Sequence, residues 1–425
     1  MPLGLYISVP FCRTKCSFCN FASDVFSKSA YENYVARVLE DIANSRSLAL
    51  EMGCESALHD TVDSIYLGGG TPSILDAAQL ERIFAAVRGQ FAVTPDAEIT
   101  VECAPATITP ALIDTLLRCG VNRVSLGVQS FVDREAQSVG RLHNRSTALE
   151  EIGRLREAGI TNISIDLIAG LPHQTPENWA FSVAETIATG VPHVSVYMLE
   201  VDEDSRLGRE LIAGGARYHA HFVPDDDATA DFYQQACDML DSAGIVQYEI
   251  SNFARAGSPL HKGSQLHKNE SRHNLKYWTR QPYLGFGVDA HSMLPASLRE
   301  DCHAVRFATP DSLDAYMNRV PPSVTPVSPQ AAIEEHFFLG LRLNRGIDLP
   351  PIMNCHPERS RENGFLSSAI ESCISEGLLE QQGSNIRLTA RGRLLSNEVF
   401  SRFLTEKTTQ PAAETKVGTG HVNPR

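Results

Sequence analysis

The stretch Pro10-Phe11-Cys12-Arg13-Thr14-Lys15-Cys16-Ser17-Phe18-Cys19-Asn20-Phe21 follows a short apolar run, Leu3 to Val9, and spaces three cysteines as C-x3-C-x2-C. Thiolates at those separations can converge from one compact loop, and soft sulfur ligands suit iron-sulfur clusters. A cubane has four irons, so three cysteines would leave one iron open to a small molecule. Two other readings exist. Positions i, i+4 and i+7 can mark one face of a buried helix, because free cysteine packs as a small hydrophobe. A zinc site would need a fourth ligand, and no Cys or His stands at the next few positions. Pro10 and the interleaved Arg13, Thr14, Lys15 and Ser17 fit a loop or short helix better than core packing.

Outward from this loop, short apolar or β-branched runs alternate with amphipathic stretches. Candidate strands are Leu3 to Val9, Val62 to Leu67, Glu98 to Glu102, Arg123 to Gly127, Asn162 to Leu167 and His193 to Tyr197. Helical patterns cover Ala77 to Arg88, Pro110 to Cys119, Ser146 to Ala158 and Pro176 to Thr189, with start signals at Asp76, Thr109 before Pro110, and Thr175 before Pro176. Most of these strands have apolar interiors, as parallel strands covered on both faces should. Six β/α units predict an α/β fold, a partial TIM-like (β/α)6 barrel in preference to a doubly wound sheet. In either architecture, polar residues at the C-terminal strand ends face the ligand site. Here those are Cys12 to Cys19, Gly68 to Thr71, Glu102, Gln129 and Asp166.

Composition narrows the classes of function. With 37 Lys plus Arg against 51 Asp plus Glu, the net charge is -14, so no overall positive field attracts nucleic acid, and no nucleic-acid partner is expected. No basic start precedes an apolar run, and no uninterrupted stretch approaches the roughly 20 residues that span a bilayer, so a cytoplasmic location is expected. Ten cysteines among 425 residues do not make a disulfide framework.

Two further segments carry chemistry. Tyr66-Leu67-Gly68-Gly69-Gly70-Thr71-Pro72 follows a predicted strand, and glycines there let backbone approach a polar ligand closely; a lone glycine run is more often a turn. Ser271-Arg272-His273-Asn274-Leu275-Lys276-Tyr277-Trp278 offers an imidazole and two flat rings, which suit heme iron and a porphyrin face as well as they suit an aromatic core.

Together these motifs resemble the radical S-adenosylmethionine (SAM) superfamily. Within it, residues 1 to 405 resemble the oxygen-independent coproporphyrinogen oxidase-like group and its heme-chaperone branch. The resemblance implies a 4Fe-4S cluster on Cys12, Cys16 and Cys19, with SAM on the open iron. It implies SAM contacts at Tyr6, Gly69, Gly70, Thr71, Glu102, Gln129, Arg141 and Asp166, and heme contacts at His273, Tyr277 and Trp278 through an HNxxYW motif. It divides the chain into a radical SAM core at 1–245, an accessory and heme-associated segment at 246–330, and a helical, winged-helix-like end domain of the coproporphyrinogen oxidase type at 331–404. The stretch 405–425 reads as a disordered tail, and His261 and His267 as solvent residues of a polar loop at 258–271. Glu334-Glu335-His336 and Leu339 to Arg342 resemble the family's end domain, though ordinary helix packing explains them equally well.

Two departures point away from the oxidase itself. That enzyme carries another cysteine two positions beyond the triad, where this chain has Phe21, and it has a longer segment before its cluster. The expected function is therefore a heme chaperone that passes heme to an acceptor apoprotein; a membrane-associated acceptor is compatible with that role. The alternative is a radical SAM enzyme acting on a porphyrin, such as the oxidase or a heme-degrading methyltransferase. A scaffold protein is the third class, and it leaves the cysteines and glycines unexplained.

Overall fold

The computed structural model describes residues 1–54, 58, 61–255, 269–296, 302–349 and 360–404. His261, His267, most of the 258–271 loop and the 405–425 tail lie outside the described residues. The six apolar runs become six parallel strands in chain order: β1 (Leu3–Val9), β2 (Val62–Gly69), β3 (Val93–Cys103), β4 (Arg123–Gln129), β5 (Asn162–Ala169) and β6 (His193–Met198). Between them run α1 (Lys28–Glu51), α2 (Ala77–Gln90), α3 (Pro110–Arg118), α4 (Asp133–Ser138), α5 (Arg145–Glu157) and α6 (Pro176–Thr189). The start signals act as caps. Thr109 accepts from the Leu112 amide and Thr175 from that of Asn178, while Asp76 and Gln79 exchange the two bonds of a capping box. The long helix α1, which the strand-by-strand reading does not name, buries Tyr31, Tyr34, Val35, Val38 and Ile42 on one face.

The sheet curls into a partial barrel. Tyr66, Thr100, Ser125, Ser164 and Ser195, from five successive strands, line a common internal cavity. Beyond β6, α7 (Arg206–Ile212) and α8 (Asp226–Ser242) lead to β7 (Ile245–Gln247) and β8 (Asn252–Arg255), which pair antiparallel beside β6. On the other side, α9 (Arg272–Trp278) precedes β9 (Tyr283–Phe286), which runs parallel to β1. The strands β10 (His291–Pro295), β11 (Ala304–Ala308) and β12 (Ser323–Val327) then continue antiparallel, so segment 246–330 is built into the barrel's own twelve-stranded sheet. No helix among the described residues is long and apolar enough to cross a membrane.

Between β11 and β12, α10 (Leu313–Met317) packs Tyr316 against Tyr34 of α1, and the C-terminal unit contains α11 (Pro329–Gly340), the helix Ser360–Ser375, and a three-stranded sheet in the order β13 (Ile347–Asp348), β15 (Asn385–Leu388), β14 (Leu379–Gln382). Two short helices, Ala390–Leu394 and Ser396–Ser401, follow the sheet, separated where Leu395 leaves helical geometry. This unit packs its own apolar core around Phe337, Ile386 and Phe403. It docks on the barrel through Glu335, which accepts from Arg280 Nε and Arg306 Nε, each at 2.7 Å. Burial alone would raise the Glu335 carboxyl, but Arg306 and Arg280 hold it below the usual carboxylate range. Removing it strands two guanidiniums in a largely buried place. Glu335→Ala is expected to cost about 3–5 kcal/mol, read as a lower denaturant midpoint; an unchanged midpoint would show that these ion pairs do not hold the unit in place.

Candidate functional site at the mouth of the barrel

The cysteine loop leaves β1 at the C-terminal end of the barrel and is pinned at its base. Cys12 N donates to Asp24 O at 3.0 Å, Asp24 N returns to Pro10 O at 3.0 Å, and the Phe11 ring stacks on Tyr31 at 4.1 Å. The rest of the loop is held from across the mouth, where Ser17 N donates to Val139 O at 3.1 Å and Leu207 N to Ser17 O at 2.8 Å. Cys12 and Cys16 are each 9% exposed, and Cys19 is half-buried. None is in a disulfide. Donors stand beside two of the sulfurs: Thr71 Oγ1 lies 3.7 Å from Cys12 Sγ, and Arg141 Nη1 lies 3.6 Å from Cys16 Sγ. Burial pushes the Cys12 thiol up, with the Thr71 and Ser23 hydroxyls pulling against it.

The glycine run lies against this loop, and its amides are used there. Gly70 N donates to Val9 O and Thr71 N to Phe11 O, both at 2.8 Å. A Cβ on Gly70 would sit 2.7 Å from Phe11 O and 2.8 Å from Val9 O; Gly69, at φ +100°, would place one 2.8 Å from Ser8 Oγ. The glycines let β2 close on the cysteine strand, and Thr71 turns its hydroxyl to Cys12.

The remaining strand-end residues gather in two adjoining places. An open cleft of about 400 Å³ is bounded by Cys16, Thr71, Arg141, Leu142 and the 104–107 turn. Arg141 also donates to Gly127 O, and its Nε is buried without a partner. Gln129, held at φ +68° and 1% exposed, has a buried Oε1 without a partner. Beside the cleft, Tyr66 Oη donates to Glu102 Oε1 at 2.9 Å, and Tyr6 stacks on Tyr66 at 6.1 Å. Burial, reinforced by Glu102, keeps both phenols well above their ordinary range and therefore protonated. Asp166 accepts from Ser125 Oγ at 3.1 and 3.2 Å and faces the internal cavity that Tyr66 also lines.

The donor set suits a cluster and a polar cofactor. Among the described residues, no three His, Cys, Asp or Glu side chains gather closely enough to hold a single metal ion. A cubane asks for something else, since its three thiolates bind three different irons and need not meet at one point. Three thiols on one pinned loop, none in a disulfide, with Thr71 beside Cys12 and Arg141 beside Cys16, fit that demand. The unpartnered Gln129 Oε1 and Arg141 Nε are buried polar atoms of the kind a bound polar molecule satisfies.

His273, Tyr277 and Trp278 approach from below, the His273 ring lying 5.3 Å from Tyr66 and 6.3 Å from Tyr6. Helix α9 crosses the opposite end of the barrel, with Lys276 Nζ donating to Pro2 O at 2.8 Å and pairing with Asp63 at 2.7 Å. His273 is 0% exposed, and both ring nitrogens are engaged, Nδ1 with Ser64 Oγ at 3.1 Å and Nε2 with Tyr277 Oη at 2.9 Å. Trp278 is 2% exposed beneath the Arg342 guanidinium, 4.2 Å from the ring centroid. A heme ligand needs a free nitrogen and room for a macrocycle; here the residues expected to contact heme form the plug of the barrel. Sequence reading also missed the polar lumen above that plug, including His193, whose nitrogens meet Ser164 Oγ at 2.7 Å and Tyr248 Oη at 3.0 Å, and Arg123, paired with Glu98 at 3.8 Å. Its signal was a serine or threonine in the middle of each otherwise apolar strand.

Known proteins agree with this architecture. Residues 6–183 match the model of the radical SAM superfamily and residues 327–395 that of the HemN C-terminal domain. The heme chaperone HemW of Lactococcus lactis is 30% identical over 410 residues, covering 95% of this chain and 97% of the relative. HemW of Bacillus subtilis is 30% identical over 408 residues, covering 94% and 99%. The solved structure of Escherichia coli coproporphyrinogen III oxidase, HemN, described as a radical SAM enzyme, superposes with a TM-score of 0.77 at 25% identity, covering 95% of this chain and 90% of that one.

Two outcomes follow from the geometry. Gly70→Ala must push the cysteine loop off β2, at about 1–3 kcal/mol of overpacking strain; the expected result is a folded protein by circular dichroism whose iron and sulfide content after reconstitution falls by more than half. For His273, burial first and then Lys276 depress the imidazole to about 3. An unfolded imidazole titrates near 6.5, so the unfolded chain binds the extra proton between those values. Stability is complete above about pH 6.5 and falls on acidification toward 3, by up to ~1.4 kcal/mol per pH unit. In His273→Ala, which orphans Ser64 and Tyr277 at roughly 2–4 kcal/mol, the difference in denaturant midpoint between pH 7 and pH 5 should narrow while hemin uptake is unchanged.

Proposed function

Because this chain belongs to the radical SAM superfamily, in its HemN/HemW-like group, we propose that it is a heme chaperone that carries a SAM-binding 4Fe-4S cluster and hands heme to an acceptor apoprotein. The observation that carries the cofactor half of this reading is the pinned loop on which Cys12, Cys16 and Cys19 converge outside any disulfide, with Thr71 beside Cys12 and Arg141 beside Cys16. Cys12, Cys16 and Cys19 would hold the cluster, and Gln129, Arg141, Glu102 and Asp166 supply polar groups for SAM around the same mouth. When bound and reduced, the cluster supplies an electron to SAM and opens radical chemistry. The chain's own residues do the rest. Thr71 and Arg141 direct donors at cluster-ligand sulfur, which favours the electron-rich thiolate and tunes its potential. Phe11 and its stacked partners keep water from beneath the loop, and Tyr66 fixes the Glu102 carboxylate by donating to it. The heme half is supported by the near-full-length likeness to proteins named heme chaperones.

A second reading, radical chemistry on a porphyrin, is favoured by the completeness of the polar mouth, which is more than a passive carrier requires, and by the likeness to the oxidase across nearly the whole chain. One preparation separates the two. Anaerobically reconstituted protein is titrated with hemin, then reduced in the presence of SAM with and without a porphyrinogen. The chaperone reading expects stoichiometric heme uptake, transfer to a heme-free acceptor, and no porphyrin product. Porphyrin-dependent formation of 5′-deoxyadenosine together with a modified macrocycle would sink it in favour of the enzyme. Replacing Cys12, Cys16 and Cys19 by Ala should abolish cluster absorbance in either case.

A further inference from the structure

With α9 sealed inside the barrel, a heme needs another place, and the mouth carries one. The loop after β5 ends in His173, and the short kinked helix Arg217–Phe222 after α7 carries Tyr218, His219, His221 and Phe222. The two segments are tied together, His173 N donating to Phe222 O at 3.0 Å. His173 Nε2 lies 3.3 Å from His219 Nδ1, and the His173 and His221 rings each pack 4.0 Å from Phe222. Tyr218 and His219 are held at left-handed φ values of 56° and 60°, which turns their side chains away from the helix path. His219, His221 and Phe222 are exposed, Phe222 at 45%. Among the described residues, no hydrogen bond engages His219 Nε2 or either nitrogen of His221. This ledge is fastened to the cysteine loop through α7, where Leu207 N donates to Ser17 O at 2.8 Å and Arg206 to Lys15 O.

We propose that this ledge is where heme docks, with His219 Nε2 as an axial ligand to the iron, Phe222 and Tyr218 against the macrocycle, and nearby guanidiniums receiving the propionates. The inference rests on the reading that heme is this protein's cargo. The His173 contact gives His219 what a ligating imidazole needs: with the proton on Nδ1 donated to His173 Nε2, the tautomer is fixed and Nε2 presents its lone pair outward. Exposed aromatic rings supply a flat apolar surface that a solvated loop would not otherwise keep. Arg206 and Arg217 lie 5.5 and 5.8 Å from the Tyr218 ring, and Arg134 is close enough to act on the His173 charge, so carboxylates at the macrocycle's edge meet forked donors. Burial, then Arg134, lowers His173 below the ordinary imidazole range and keeps it the neutral acceptor this arrangement requires.

The test uses full-length, cluster-loaded protein, with hemin and metal-free protoporphyrin IX as probes. His219→Ala is expected to weaken hemin binding at least tenfold and to change the Soret band and the ferric spin state, with cluster absorbance and SAM binding unaltered. Metal-free protoporphyrin, which offers no axial position, should bind wild type and His219→Ala alike. His219→Met retains a ligand of another kind and should give a different spectrum at intermediate affinity, so the assignment is tested even if the alanine variant folds poorly. Wild-type hemin affinity and spectrum in both His219→Ala and the His219→Ala/His221→Ala double variant overturn the ledge while leaving the chaperone reading standing. A wild-type protein that takes up no hemin overturns both.

Discussion

The constraint on which the site depends is the approach of two backbones, β1 and β2, where Gly70 and Thr71 donate to the carbonyls of Val9 and Phe11. Only a residue without a Cβ fits there, since the added atom would fall within 2.8 Å of two carbonyl oxygens. That one closure decides where the cysteine loop begins and how it faces the barrel. It also explains why Thr71 reaches Cys12. The loop's far side is then fixed by bonds from Val139 and Leu207, so both rims of the barrel must be in place before three thiols share one surface. The cofactor centre is thus a property of the closed barrel more than of the short motif.

A barrel closed in this way encloses a lumen, and its polar lining has to be satisfied internally. Arg123 with Glu98, His193 between Ser164 and Tyr248, and His273 between Ser64 and Tyr277 are charges and imidazoles that burial would otherwise penalise by several kcal/mol. Each is bonded to a neighbouring strand or to the plug helix, so the network ties the strands to α9. Thr100 Oγ1 and Asn252 Oδ1, both without partners and both in the cavity lining, mark where ordered water completes it. The plug carries the C-terminal unit in turn: Trp278 sits under Arg342, and Arg280 meets Glu335 from α11.

Much of this was legible in the sequence because it depends on local pattern. Apolar runs gave the six strands, and Asp76, Thr109 and Thr175 gave helix starts, since caps act within three residues of themselves. Cys12, Cys16 and Cys19 were legible as a group by spacing alone. What escaped depends on partners distant in sequence. The joining of β9 to β1, separated by more than 270 positions, has no local signal, and neither does the lumen-facing role of the mid-strand serines. The sequence around His273 reads two ways for the same reason. Imidazole, phenol and indole in one helical turn are equally suited to a porphyrin and to a buried hydrogen-bonded plug, and only the positions of Ser64 and Pro2 decide between them.

The two ends of the barrel therefore divide the work. The N-terminal end is closed by buried side chains of α9, with His273 bonded to Ser64 and Tyr277 and Lys276 paired with Asp63. The C-terminal end keeps half-buried cysteine, unpartnered amide and guanidinium atoms, and an exposed imidazole ledge on one rim. A cargo that must be received and released belongs at an open end, because the polar network that stabilises the plug would have to be broken at each transfer. The cluster loop and the ledge share α7 as a common support through Ser17 and Leu207. The segment carrying His219 is therefore tied to the cysteine loop by backbone, and its position depends on how that loop is held.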